Sequence, residues 1–206
     1  MRSGVIIAGG RSTRFGDADK AVAPLAGTPM IRRVADRLDD VLDELVVNCR
    51  ADQRAAIEDA LAGYPLTVAY AIDDDPDLGP MVGIRNGLSV ATGEYSAVVA
   101  CDMPFVEPEL VSYLFDRADG YDAAVPRLDD GWFQTTQAVY HTERMKEACD
   151  RAIDRGDRRI VAPLDELELV VIEQSEAFER ATPETFRNVN TRSELRRAEA
   201  RLSAEE

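Results

Sequence analysis

The sequence predicts an α/β protein: one three-layer domain over residues 1–206, with helices on both faces of a mostly parallel but mixed central sheet. Three observations predict it. Short apolar strands alternate with amphipathic helices through the first hundred residues, which is the pattern of βαβ units. The first strand runs straight into a glycine pair, where a backbone can turn sharply beside an anion. Between residues 120 and 140 two strands follow each other with no helix between them, so one strand must reverse.

Taken in order, Val5, Ile6, Ile7 and Ala8 form the first strand, and residues 9–20 form a loop containing Gly9, Gly10, Arg11, Arg14 and Lys20. Residues 24–27 read as a turn, with Thr28 as N-cap and Pro29 as the first helical residue. Ile31, Val34, Ala35 and Leu38 then share one helix face. Residues 45–47 are a short buried strand ending at Asn48, residues 52–62 are a helix, and Gly63 stops it. Residues 66–72 make a third strand that ends in an Asp- and Pro-rich loop, residues 73–80.

Gly79 and Pro80 open a helix whose interior glycines, Gly83 and Gly87, cost it stability and imply close approach by a neighbouring helix or a ligand base. Residues 96–101 are a core strand followed at once by Asp102. Leu110, Val111, Leu114 and Phe115 mark the next helix, residues 122–126 a strand, 129–131 a turn and 132–140 another strand. Residues 142–155 are a polar helix, a short helix starts near 156–160, and 167–172 is a strand. Thr191 and Glu194 form a capping box for the last helix.

Composition narrows the function. A formal charge of −15 and a pI near 4.5 exclude a duplex nucleic-acid binder, which needs a basic footprint. No apolar run approaches the roughly 20 residues of a membrane span, and the first strand starts too early for a signal peptide, so a cytoplasmic protein is expected. Acidic balance along the whole chain, with only two lysines (Lys20 and Lys146) among 24 basic residues, points to a halophilic cytosol. The melting temperature should therefore fall as salt is removed, and a salt-independent value would contradict this adaptation. Near molar salt the Debye length is about 3 Å, so only contact-range cations would decide anion binding.

Cys49, Cys101 and Cys149 have no disulfide or zinc spacing, and His141, the single histidine, reads as a surface helix-start residue. Chemistry built on a catalytic triad therefore has little material here. The first loop is either a tight turn with solvated cations or a phosphate cradle. Lys20 favours the cradle, because a compact ammonium suits phosphate oxygens that move during reaction. Asp102 lies beyond a core strand, where open α/β sheets bind ligands. It is either a Mg²⁺ ligand or a loop cap for the helix near Glu107 and Pro108.

Ala8, Gly9, Gly10, Ser12, Arg14, Gly16, Asp19 and Lys20 resemble the nucleotide signature of the small nucleotidyltransferases with a Rossmann-like mixed sheet. Behind them come Gly79-Pro80-x-x-Gly83, Cys101-Asp102-Met103-Pro104-Phe105 and Asn188-Val189-Asn190-Thr191, in the order found in molybdenum cofactor guanylyltransferases. The resemblance spans essentially the whole chain and implies a fold of the nucleotide-diphospho-sugar transferase type. It divides the chain into a nucleotide-binding half (1–100), a metal and acceptor half (101–190) and a C-terminal helix (191–206).

The resemblance also implies that Ile7, Ala8, Gly9 and Gly10 follow the nucleotide phosphates, with Arg14 and Lys20 neutralising them. It puts Asn48 and Asp73 at the base and ribose, Gly79, Pro80 and Gly83 at the base pocket, and Asp102, with Asn190, on Mg²⁺. Asn188, Asn190 and one of Arg158 or Arg159 would face the acceptor. Asp74, Asp75 and Asp77 rival Asp73, and Phe15 stands where methionine is more usual. The implied substrates are GTP and the molybdopterin cofactor, with transient contact to other cofactor-biosynthesis proteins or recipient enzymes as a further implication. Cytidylyl transfer to the same cofactor, guanylyl transfer to another phosphorylated acceptor, and a non-catalytic carrier stand as alternatives.

Overall fold

A computed structural model describes residues 1–10, 15, 19–73 and 79–205. Nine strands and seven α-helices are assigned among them. The first strand, β1 (Arg2–Ile7), is buried along its length because Val5 and Ile6 face opposite helix layers. A two-strand hairpin follows, β2 (Pro24–Leu25) with β3 (Thr28–Pro29). Here the expected cap is corrected. Thr28 and Pro29 pair in that hairpin, closed by Ala26 and Gly27 at positive φ, and α1 (Met30–Asp36) starts after Pro29 with no side-chain cap. Ile31, Val34, Ala35 and Leu38 are fully buried, as their spacing required.

Then come β4 (Glu44–Arg50), α2 (Arg54–Ala60), β5 (Val68–Asp73), α3 (Pro80–Leu88), β6 (Tyr95–Ala100) and α4 (Pro108–Ala118). The second half adds β7 (Ala123–Arg127), β8 (Gln137–His141), α5 (Thr142–Asp154), β9 (Leu169–Glu173), α6 (Gln174–Ala177) and α7 (Arg192–Glu205). The main sheet has seven strands in the order β5-β4-β1-β6-β8-β7-β9. Only β8 runs against its neighbours, β6 and β7, so the sheet is mostly parallel and mixed as the missing helix implied.

The stretch 132–140 is strand only from Gln137. Its start is a loop with one bridge between Arg127 and Phe133, which leaves Trp132, the sole tryptophan, 69% exposed. Nor does a helix begin at 156–160; a 3-10 turn forms at Ala162–Glu166 after Pro163 becomes available to start it. The capping box does form. Glu194 Oε2 accepts from the amides of Asn190 and Thr191, and Thr191 Oγ1 accepts from that of Glu194.

The layers follow from side-chain alternation. Met81, Ile84 and Leu88 of α3 with Met145, Cys149 and Ala152 of α5 cover one face; α1, α2, α4 and α6 cover the other. Gly87 answers one open question about α3, since a Cβ there would lie 2.3 Å from Val5 Cγ1. That glycine lets α3 pack directly on β1. His141 accepts from the Arg144 amide at the start of α5, next to Tyr95 at the amino end of β6. No helix among the described residues is long and apolar enough to cross a membrane.

Candidate active site

Strand register builds the site. Ala71, Asn48, Ile7 and Ala100 lie in one row across β5, β4, β1 and β6, where the parallel strands reach their carboxyl ends. Whatever follows each strand therefore emerges on one edge. A cleft of about 360 Å³ opens there. From β1 and its loop it takes Ile7, Ala8, Gly9, Gly10 and Lys20; from β4 and β5 it takes Asn48 and Asp73. Gly79, just before α3, with Pro80 and Gly83 of α3 forms one wall, and Asp102 and Asn188 form the other. Every one of these was expected at the ligand from the sequence.

Lys20, Asp102, Asn188 and Asn190 form one bonded cluster. Lys20 Nζ lies 2.6 Å from Asp102 Oδ2 and 3.0 Å from Asn190 Oδ1, while Asn188 Nδ2 donates to Asp102 Oδ1 at 2.8 Å. The Asp102 and Lys20 side chains are 10% and 14% exposed, so neither ion could stay there alone without a large desolvation cost. The backbone holds the pair in place too, because Val189 N–H donates to Asp102 O. Asp102 is thus not a helix cap: Glu107 occupies the cap position of α4, and the carboxylate is spent on Lys20 and Asn188.

Asn48, fully buried, donates through Nδ2 to Ala71 O and to Asp73 Oδ1, 2.7 Å away. Asn86 Nδ2 also donates to Asp73 Oδ1, at 2.8 Å. Two donors on one carboxylate oxygen leave Asp73 Oδ2 beside Gly9, where a Cβ would come within 2.3 Å of it. Asn48 Oδ1 has no hydrogen-bond partner among the described residues, and a Cβ on Gly83 would sit 2.5 Å from it. Gly83 is therefore a close-approach glycine at the cleft, unlike Gly87.

The remaining expectations divide. Arg11, Arg14, Asp74, Asp75 and Asp77 lie outside the described residues. Asn190 enters through its bond to Lys20. Arg158 and Arg159 are exposed and line no part of the cleft; Arg159 grips Asp157, whose carboxyl is held down at about 2 by that hydrogen bond. Ile160 lines the cleft instead, with Thr136 from the β7–β8 loop, and neither had been expected. A loop residue of ordinary type carries no sequence signal of this kind.

Also missed were Arg50 and Gln53, which bind the carbonyls of Ala8, Gly9 and Gly10, and the part played by Asp19, which accepts from Ala21 N–H and from Gln53. Cys101, buried against the cleft floor, has its thiol pushed up to about 12 by desolvation, with Asp102 adding to it. Burial thus favours the neutral thiol over the nucleophilic thiolate. The oxygens of Asp102 and Asn190 already converge on one cationic nitrogen, and hard oxygen donors of this kind fit a Mg²⁺ ion.

Residues 4–169 match the family model described as the MobA-like NTP transferase domain. A curated protein of Natronomonas pharaonis, named "Probable molybdenum cofactor guanylyltransferase", is 50% identical over 202 residues, 98% of each chain. One from Yersinia pestis, named "Molybdenum cofactor guanylyltransferase", is 34% identical over 92% of this chain and 90% of its own. Among solved structures, molybdopterin-guanine dinucleotide biosynthesis protein A from Archaeoglobus fulgidus superposes with a TM-score of 0.79 at 27% identity. It covers 98% of this chain and 99% of its own.

Proposed function

The chain belongs to the MobA-like NTP transferase domain family, and from that premise we propose that it transfers the GMP moiety of GTP to the terminal phosphate of the molybdopterin cofactor. The products are molybdopterin guanine dinucleotide and pyrophosphate. The observation that supports this reading best is the cluster of Lys20, Asp102, Asn188 and Asn190 facing the Gly9-Gly10 loop across one cleft. A non-catalytic nucleotide carrier would have no need of a buried ammonium and carboxylate at that position.

In the transfer, an oxygen of the acceptor phosphate attacks the α-phosphorus of GTP. The bond from that phosphorus to its bridging oxygen breaks, and the electron pair leaves with pyrophosphate. An ionised phosphate is its own nucleophile, so no general base is required. His141 is accordingly remote, at the opposite edge of the sheet. Catalysis then rests on positioning and on charge stabilisation.

Lys20 supplies the mobile charge. Its ammonium has three donors; among the described residues Asp102 and Asn190 take two, which leaves one for a phosphate oxygen. The N–H groups of Gly9 and Gly10 face the same anion, because glycine leaves the backbone open. Asp102 and Asn190 would hold Mg²⁺, which when bound neutralises phosphate charge. Asp73 Oδ2 offers an acceptor to the nucleoside, and Gly83 keeps α3 close enough to wall in the base. Asn188 stands on the acceptor side while orienting Asp102.

The test is to incubate the protein in high salt with molybdopterin, Mg²⁺ and each NTP in turn, and to identify the dinucleotide. Pyrophosphate release with GTP and with no other NTP is the expected outcome. Release with CTP instead would make it a cytidylyltransferase, release only with another phosphorylated acceptor would change the second substrate, and nucleotide binding without release would make it a carrier.

A further inference from the structure

We infer that Gln53 and Arg50 are positioning residues that aim the amide N–H groups of Gly9 and Gly10 at the nucleotide phosphates; the identity of that anion rests on the nucleotidyl-transfer reading. Gln53, just before α2, is 2% exposed. Its Nε2 donates to Ala8 O at 3.1 Å and to Asp19 Oδ2 at 2.6 Å, and its Oε1 accepts from the Arg50 amide at 3.0 Å. Arg50, the last residue of β4, sends Nη1 to Gly10 O at 2.9 Å and to Gly9 O at 3.3 Å. Asp52 holds the rest of the guanidinium, at 3.0 Å from Nε and 3.2 Å from Nη2.

Three consecutive carbonyls, those of Ala8, Gly9 and Gly10, are thus bound from one side. The described peptides are all trans, and a trans peptide points its N–H opposite to its C=O. The N–H groups of Gly9 and Gly10 therefore turn away from Gln53 and Arg50, which do not line the cleft, toward the cleft that both glycines line. A glycine pair could otherwise flip these peptides at little cost. The same network reaches the cationic half of the site: Asp19 Oδ1 accepts from Ala21 N–H at 3.0 Å, which fixes the turn that bears Lys20.

Glutamine is the side chain this role requires. One neutral, buried group must donate twice and accept once, whereas an ionised glutamate donates nothing and would face Asp19. Full-length Gln53→Glu and Arg50→Met should each weaken calorimetric binding of inorganic pyrophosphate roughly tenfold, the scale of a lost hydrogen bond that is charge-assisted. The KM for GTP should rise by a similar factor while the KM for the acceptor stays put. Lowering the pH should restore part of the affinity of Gln53→Glu, because the introduced carboxyl regains one donor when it is protonated, and wild-type protein should show no such recovery.

Both variants folded by circular dichroism yet binding pyrophosphate like wild type would overturn the positioning role, as would equal rises in both KM values. If Gln53→Glu does not fold, Arg50→Met decides, since that side chain is 17% exposed and its loss leaves the Gln53 bonds in place. Wild-type protein that binds neither pyrophosphate nor GTP would overturn the nucleotidyl-transfer reading first, and this inference with it.

Discussion

Lys20→Ala should lower kcat/KM about a thousandfold and still give a folded protein, the upper range for losing one preorganised donor to developing charge. Among the described residues no other lysine lines the cleft. The chain's other lysine, Lys146, pairs with Glu143 on α5. Losing the ammonium also strands Asp102 Oδ2, so stability should drop by about 1–3 kcal/mol, read from the urea midpoint. Lys20→Arg should not rescue turnover, because the compact Nζ sits between two oxygens only 2.6 and 3.0 Å away and a planar guanidinium cannot. Near-normal pyrophosphate release in Lys20→Ala would remove lysine from the mechanism.

Asp102→Asn should be nearly as severe, with turnover reduced about a thousandfold at ordinary Mg²⁺. The amide keeps the shape of the side chain and the contact from Asn188, but it cannot supply the negative charge that holds a cation. Partial recovery at raised Mg²⁺ would locate the loss in ion affinity; recovery without Mg²⁺ would exclude Asp102 as its holder. Because Lys20 and Asp102 are one bonded unit, the double variant should fall no more than about tenfold below either single one. Losses that multiplied would mean that the two act independently.

Several residues legible in the sequence share a position, at or just past the point where an apolar run stops. Asn48 lies near the end of β4, Asp73 ends β5 and Asp102 comes just after β6, so their convergence needed only the rule that parallel strands end on one edge. Gly83 was legible as a close approach but not as to what approached; the structure assigns that neighbour to Asn48 and that of Gly87 to Val5. Lys20 and Asp102 were each marked, yet their bond spans 82 positions in the sequence and no local pattern encodes it.

Gln53 and Arg50 were invisible for a different reason. Polar residues before a helix look solvated, and only the tertiary structure buries one of them against Ala8 and Asp19. Thr28 and Pro29 misled because a proline after a threonine is also a good helix start. The paired hairpin outcompeted it, since Gly27 at φ 78° allows a tight reversal there. Arg159 shows a different limit, because a charged side chain that could serve a substrate also pairs with Asp157 two positions away, and the sequence does not separate the two uses.

One optical consequence follows from the loop between β7 and β8. That loop lies on the ligand edge of the sheet, and its only indole, Trp132, already stands in water in the native state. Denaturation moves this fluorophore from solvent to solvent, so emission will be a poor monitor of unfolding. The same exposure leaves its signal free of folding changes, and any shift on titrating an acceptor or a protein partner will report what settles against that edge.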